Sequence, residues 1–195
     1  MCPICGMPYM SDDIDGRCFS CANGLTPGDG MKMRARVRYD GPVAEMMQSL
    51  KYRKNMDCPP GLGRELLPLL DEVLLLKPRL LVVPVPLHEV RLRQRGFNLP
   101  DQLARSLASS LDARYVPRAL KRVRNTQSQV GKNRQERLEN VSGAFEINKR
   151  DLTLQGRSVI LVDDVVTTGA TLAAAAEPLL AEGAEVFAVA LARAF

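Results

Sequence analysis

No run of apolar residues in this chain approaches the ~18–20 needed to cross a bilayer. The greasiest segment, residues 66–76 (LLPLLDEVLLL), is too short and is interrupted by Asp71 and Glu72. Tryptophan is absent, histidine occurs once, and aromatic residues make up only 5 %. Base stacking therefore has few platforms: Tyr39, Tyr52, Phe97 and Tyr115 are the candidates. There is no internal repeat and no low-complexity tract, which sets aside a repeat array or a disordered chain. No leader precedes the first cysteines, so the expected compartment is the cytoplasm. What is present is the balance of a soluble globular protein, with 46 % hydrophobic and 25 % charged residues. Its 195 residues suffice for one core plus a small appendage.

The formal net charge of +5 is unevenly spread. Arg114, Arg118, Lys121, Arg122, Arg124, Lys132, Arg134 and Arg137 crowd one stretch against the single acid Glu136, and Arg91, Arg93 and Arg95 form a second cluster. Such a surface is either a solvated face or a seat for anions, whether pyrophosphate or a nucleic-acid backbone.

Four of the five cysteines fall within residues 1–30, as Cys2-x₂-Cys5 and Cys18-x₂-Cys21 separated by twelve residues. Paired knuckles at this spacing point to a closed, structural four-cysteine zinc site. The metal would replace the core that ~30 residues cannot build. Disulfides are the competing reading, disfavoured in a cytosolic chain. No thioredoxin-like strand precedes CPIC, and no large domain surrounds Cys2 to make it an N-terminal nucleophile. Cys58 reads as an ordinary buried thiol. We place a boundary near residue 30, giving a zinc-finger domain over 1–30 and a second domain over 31–195.

From Met31 onward, strand-like and helix-like segments alternate. Residues 31–40 alternate apolar and basic residues, as a half-exposed strand does. Gly41-Pro42 opens a helix with Val43, Met46, Met47 and Leu50 on one face. Residues 59–76 read as a second helix and residues 79–86, ending VPVP, as a buried strand. Leu99, Leu103, Leu107 and Leu111 mark an amphipathic helix with Asn98 as its expected cap and Pro100 in its first turn. Residues 114–116 are a short strand. Residues 121–142 are a long polar loop, or a hairpin with a mobile tip. Residues 158–163 form an apolar strand, 171–181 a helix ended by Gly183, and 185–192 a last strand. The pattern predicts an α/β fold with a mainly parallel sheet, in which residues 80–83, 159–162 and 186–191 are central. Ligands of such sheets bind beyond the carboxyl ends of the strands.

One such end carries Asp163-Asp164, Val165-Val166, then Thr167-Thr168-Gly169-Ala170-Thr171 and a helix N-terminus. Backbone N–H groups and the helix dipole favour a phosphate there. Gly169 permits close approach, and Thr167, Thr168 and Thr171 add hydroxyl donors. The two carboxylates lie about one phosphate-to-ribose span earlier, where they can accept from sugar hydroxyls, and one of them could meet a magnesium ion chelated by the ligand. A merely capped turn needs no pair of acids at the strand end. The lysine of a Walker-type loop is missing, which argues against an ATPase.

This motif closely resembles the signature of type I phosphoribosyltransferases, which binds 5-phosphoribosyl-1-pyrophosphate (PRPP). The resemblance implies that Asp163 and Asp164 face the ribose and that residues 167–171 hold its 5-phosphate. Further segments narrow it: LKYR (50–53), VPVPLHEVRLRQRGFN (83–98), TQSQ (126–129), ERLENVSGAF (136–145) and LAR (191–193). Together with the cysteines, they make the chain similar to the ComF family of competence proteins over essentially its whole length.

That resemblance implies a type I phosphoribosyltransferase core with an N-terminal zinc finger, acting in natural transformation. Single-stranded DNA and components of the DNA-uptake machinery are the implied partners, and the cytoplasm or the inner face of the cell membrane the implied location. It places pyrophosphate at the loop after the first core strand, with Pro84, Val85 and Pro86, and with Arg91 and Arg95 neutralising charge. His88, in the same loop, is either a phosphate contact or incidental. Residues 121–142 become a hood over the ligand, with Lys121, Arg122, Arg124, Gln127 and Gln129 as contacts.

Two departures from the pattern are Pro178, expected to kink its helix, and Leu99-Pro100 after GFN. Two functions follow: transfer of phosphoribosyl from magnesium-bound PRPP to an acceptor, or a single-stranded-DNA-binding module that retains the pocket. No side chain stands out as an obligatory general base, and no segment spells purine or pyrimidine recognition.

Overall fold

The computed structural model describes residues 31–52, 59, 61–70, 80–125, 141–148 and 153–194. The four clustered cysteines, and with them the boundary near residue 30, lie outside these residues. Five strands form one sheet: β1 (Lys32–Arg38), β2 (Leu81–Pro84), β3 (Arg114–Tyr115), β6 (Ser158–Val166) and β7 (Glu185–Arg193). Their order is β1-β7-β6-β2-β3, and every pairing is parallel. The three central strands are those with continuous apolar sequence. Covered on both faces, they have no solvent side to make polar. On edge strand β1, Met33 is buried while Lys32, Arg36 and Arg38 stay exposed.

One face of the sheet is covered by α1 (Gly41–Tyr52), a 3-10 helix (Leu62–Leu69) and, after the short exposed α2 (Glu89–Arg95), by α3 (Leu99–Leu111). The other carries α4 (Ala170–Ala181) and an antiparallel pair, β4 (Leu120–Arg122) with β5 (Phe145–Ile147). The leucine spacing of α3 does what the period predicts: Leu99, Leu103 and Leu107 are buried, each contributing roughly 2 kcal/mol by leaving water. Leu111, at its end, is only partly buried.

The structure corrects several boundaries. Within the described part of residues 59–76, the helix is of the 3-10 type. Pro68 lies inside it and offers no N–H for an α-helical bond. Gly63 presses on α3: a Cβ there would stand 2.3 Å from the Leu103 carbonyl oxygen and 2.9 Å from the Leu107 nitrogen. Both are backbone atoms that cannot yield, so only glycine fits.

Asn98 holds the N-cap position of α3 without capping it. Its Nδ2 instead donates to the Val85 carbonyl at 3.0 Å. β6 does not stop at Asp163 but runs to Val166, because β7 pairs with it as far as Val166 opposite Arg193. α4 begins at Ala170 and continues past Pro178, which lies in its last turn. The helix ends before Gly183, at φ 80°, as expected. Of the polar stretch 121–142, the first residues belong to the hairpin: Lys121 faces Glu146 and Arg122 faces Phe145. The Val123 N–H then reaches the Ala144 carbonyl at 2.9 Å. Residues 126–140 lie outside the described residues. Among those described, no helix is long and apolar enough to cross a membrane.

Candidate functional site

β2 and β6 are neighbours, with Pro84 opposite Val162, so the segments leaving their carboxyl ends run side by side. Val85 is buried, and both its backbone groups are engaged. Its N–H donates to the Val162 carbonyl at 2.8 Å and its carbonyl accepts from Asn98. Val85 thus ties the first loop to the second, while Pro86 is partly exposed beyond it. α2 follows. His88 caps it, its Nδ1 accepting the Val90 N–H at 3.3 Å, which gives the lone histidine a structural task. Arg91 and Arg95 fall in α2 one turn apart, hence on one side of the helix.

The acid pair lies in the last part of β6, where successive side chains leave opposite faces of the sheet. Asp163 follows Val159 and Leu161, which belong to the core shared with α4 and the hairpin. Asp164 follows Ile160 and Val162, which belong to the core shared with α1 and α3. Asp164 meets a cation from its own layer. The Asp164 Oδ2 takes the Lys51 ammonium at 2.8 Å. Asp163, 8 % exposed, has the positive field of Arg122 beside it.

Asp163 also accepts the Asp164 N–H at its Oδ1, 2.8 Å away. Burial and the neighbouring Asp164 carboxylate push its pKa up to about 7, against the smaller opposing pull of that N–H, Lys51 and Arg122. Arg122 lies with its guanidinium 5.2 Å from the Phe145 ring centre. Burial and nearby Arg91 lower its pKa, while Asp163 raises it. Arg91, Arg122 and Asp163 therefore lie close together, although they come from α2, β4 and β6.

Beyond β6, Val166 is buried and Val165 partly so. Gly169, with φ 84°, turns the chain into α4. Thr168 Oγ1 accepts the Ala170 N–H at 3.3 Å, shaping the turn. Thr167, Thr168 and Thr171 remain partly exposed around the first turn of the helix, whose leading N–H groups lack partners within the helix.

Arg124 is not with this group. It is exposed and donates to the Ser142 carbonyl, bracing the two arms of the hairpin. Lys121 pairs with Glu146 at 2.8 Å. Gln127, Gln129, Cys2, Cys5, Cys18 and Cys21 lie outside the described residues. Among those described, no cluster of three or more His, Cys, Asp or Glu could hold a metal ion. Lys51 is the residue that sequence reasoning missed. It stood in the LKYR segment, but nothing local to it announces a partner as remote in sequence as Asp164.

Residues 93–194 match the phosphoribosyl transferase domain family. The matched span opens within α2 and takes in β6, the threonine loop and α4. The chain is 32 % identical over 192 residues to the DNA utilization protein YhgH of Escherichia coli strain K12, covering 94 % of this chain and 79 % of that one. It is 30 % identical over 187 residues to competence protein ComFC of Bacillus subtilis, covering 94 % and 72 %. Over 91 residues it is 38 % identical to competence protein F of Haemophilus influenzae, covering 47 % and 40 %. Sequence similarity over nearly the whole chain and a matching domain at the acid-threonine site agree, and the chain belongs to the ComF family of phosphoribosyl-transferase-related competence and DNA-utilization proteins.

Proposed function

We propose that this chain binds PRPP with magnesium where β2 and β6 end, and that it serves the uptake and use of DNA. One observation carries the ligand: two acids in the last part of a central strand, Asp164 paired with Lys51, are followed two residues later by a threonine-glycine turn at a helix N-terminus. In this reading, the loop amides and the hydroxyls of Thr167, Thr168 and Thr171 hold the 5-phosphate, and Asp163 and Asp164 accept from the ribose hydroxyls. Arg91 and Arg122 face the pyrophosphate, with Arg95 one turn further along α2. Magnesium would lower the charge of the leaving pyrophosphate. The site fits it chemically, since Asp163 and Asp164 offer carboxylate oxygens and any added positive charge would favour ionisation of the buried Asp163.

In transfer, the C1–oxygen bond to pyrophosphate breaks with its electron pair leaving on pyrophosphate. The acceptor nitrogen bonds to C1 and releases its proton to solvent. Asp163 and Asp164 hold the ribose and favour the positive charge that develops on it, and the arginines stabilise the departing anion. The test is PRPP-dependent pyrophosphate release across nucleobases and amines. We expect release with at least one acceptor, and its absence throughout would remove the transfer step.

The names of the relatives, DNA utilization protein and competence protein, support the biological side. Single-stranded DNA is the proposed partner, alongside components of the uptake machinery. Few aromatic residues are available, so backbone contacts dominate and affinity should fall steeply with salt. Salt-independent retention on single-stranded DNA would contradict this. For residues 1–30 we propose a structural zinc on Cys2, Cys5, Cys18 and Cys21, carried by their spacing. Metal analysis of the purified protein should find one zinc per chain, lost when Cys18 and Cys21 are changed to serine. Retention of full zinc by that variant would refute the assignment.

A further inference from the structure

We infer that Lys51 is a specificity-determining positioning residue, which makes the site select a sugar bearing its 2- and 3-hydroxyls by fixing the Asp164 carboxylate. The inference rests on the phosphoribosyl reading above and adds the group that orients one of its acids. The Lys51 Nζ and Asp164 Oδ2 are 2.8 Å apart, with side chains only 18 % and 13 % exposed. So far out of water, an ammonium without a partner is unfavourable, and the pair is held together rather than exchanged with solvent.

Lys51 is itself held from behind. Its neighbour Leu50, and Met47 one turn earlier, are 2 % and 0 % exposed and pack in the core with Leu66, Leu70, Val189 and Leu191. The last turn of α1, where Lys51 sits, also favours a cation. Asp164 is thus constrained twice, by its N–H on Asp163 Oδ1 and by Lys51 on Oδ2. That leaves its Oδ1 as the acceptor for a ligand hydroxyl. The 5-phosphate belongs to a different part of the site, the turn at residues 167–171, so the effect of Lys51 should fall on the hydroxyls and spare the phosphate.

The experiment measures binding of ribose 5-phosphate and of 2,3-dideoxyribose 5-phosphate, without magnesium, to the full chain and to Lys51→Met and Lys51→Arg. Unmodified protein should prefer ribose 5-phosphate. Lys51→Met should weaken that ligand about ten-fold, as expected for one misplaced charge-assisted hydrogen bond, and leave the dideoxy compound unchanged. Lys51→Arg should restore the preference. Circular dichroism checks folding, and Lys51→Gln replaces the methionine variant if that protein does not fold. Equal weakening of both ligands, or an undiminished preference in Lys51→Met, would overturn the inference. Failure of unmodified protein to bind either ligand would instead overturn the phosphoribosyl reading beneath it.

Discussion

Asp163→Asn is expected to stabilise the ligand-free protein at pH 8, by up to about 4 kcal/mol, and to leave it nearly unchanged at pH 4. The cause is the environment of one carboxyl. Asp163 sits at the end of a central strand, almost fully buried and next to Asp164, and its pKa rises from 3.8 to about 7. Below the unfolded value, the group is protonated in both states and pH has no effect through it. Between there and about 7, the native state holds a proton that the unfolded chain has released, so stability falls as pH rises. Above about 7 the loss is complete. The difference in proton affinity sets its size, at ~1.4 kcal/mol for each tenfold step. Asparagine keeps an oxygen for the Asp164 N–H and has no charge to bury. Denaturant unfolding of both proteins from pH 4 to pH 8 decides the matter, and parallel stability profiles would refute the environment described for Asp163. A site that destabilises its own empty state is a common cost of binding charged ligands.

How much of this was legible in the sequence depends on where the cause of each feature lies. The central strands were visible because burial on both faces demands unbroken apolar runs, as at Val159–Leu161. α3 was visible because its leucines repeat at the helical period. The threonine loop was visible because its residue types are themselves the chemistry. The end of β6 was not: two acids look like the end of a strand, and only the continued pairing with Ala192 and Arg193 of β7 carries it on to Val166.

The close approach of Gly63 to α3 was hidden for a similar reason, because it is a tertiary fact. Arg124 looked like Arg122 in sequence. The structure separates them, placing one beside Asp163 and turning the other to the Ser142 carbonyl. His88 read in sequence as either a phosphate contact or incidental, and its capping of α2 through Nδ1 was not legible there. The Lys51–Asp164 pair was the least legible, because it joins a helix end to a strand end across the sheet. The strand period does explain it afterwards: adjacent acids face different layers, and Asp164 faces the one that holds α1 and its Lys51.

The second large effect concerns the ligand. Replacing both acids, Asp163→Asn with Asp164→Asn, removes the charged acceptors for the ribose hydroxyls while leaving the threonine turn that holds the 5-phosphate. Charge-assisted hydrogen bonds from two carboxylates are worth roughly 3 kcal/mol or more together, or at least about 100-fold in affinity. The substitution at Asp163 acts in the stabilising direction, whereas that at Asp164 leaves the Lys51 ammonium without its partner, so circular dichroism and thermal unfolding of the double variant check that weakened binding is not loss of the fold. Calorimetric titration of PRPP with magnesium into the unmodified protein and this double variant tests the central claim. Measurable binding to the first that falls by at least about 100-fold in the second is the result expected, and equal binding by the two proteins, or none to the unmodified one, would contradict it.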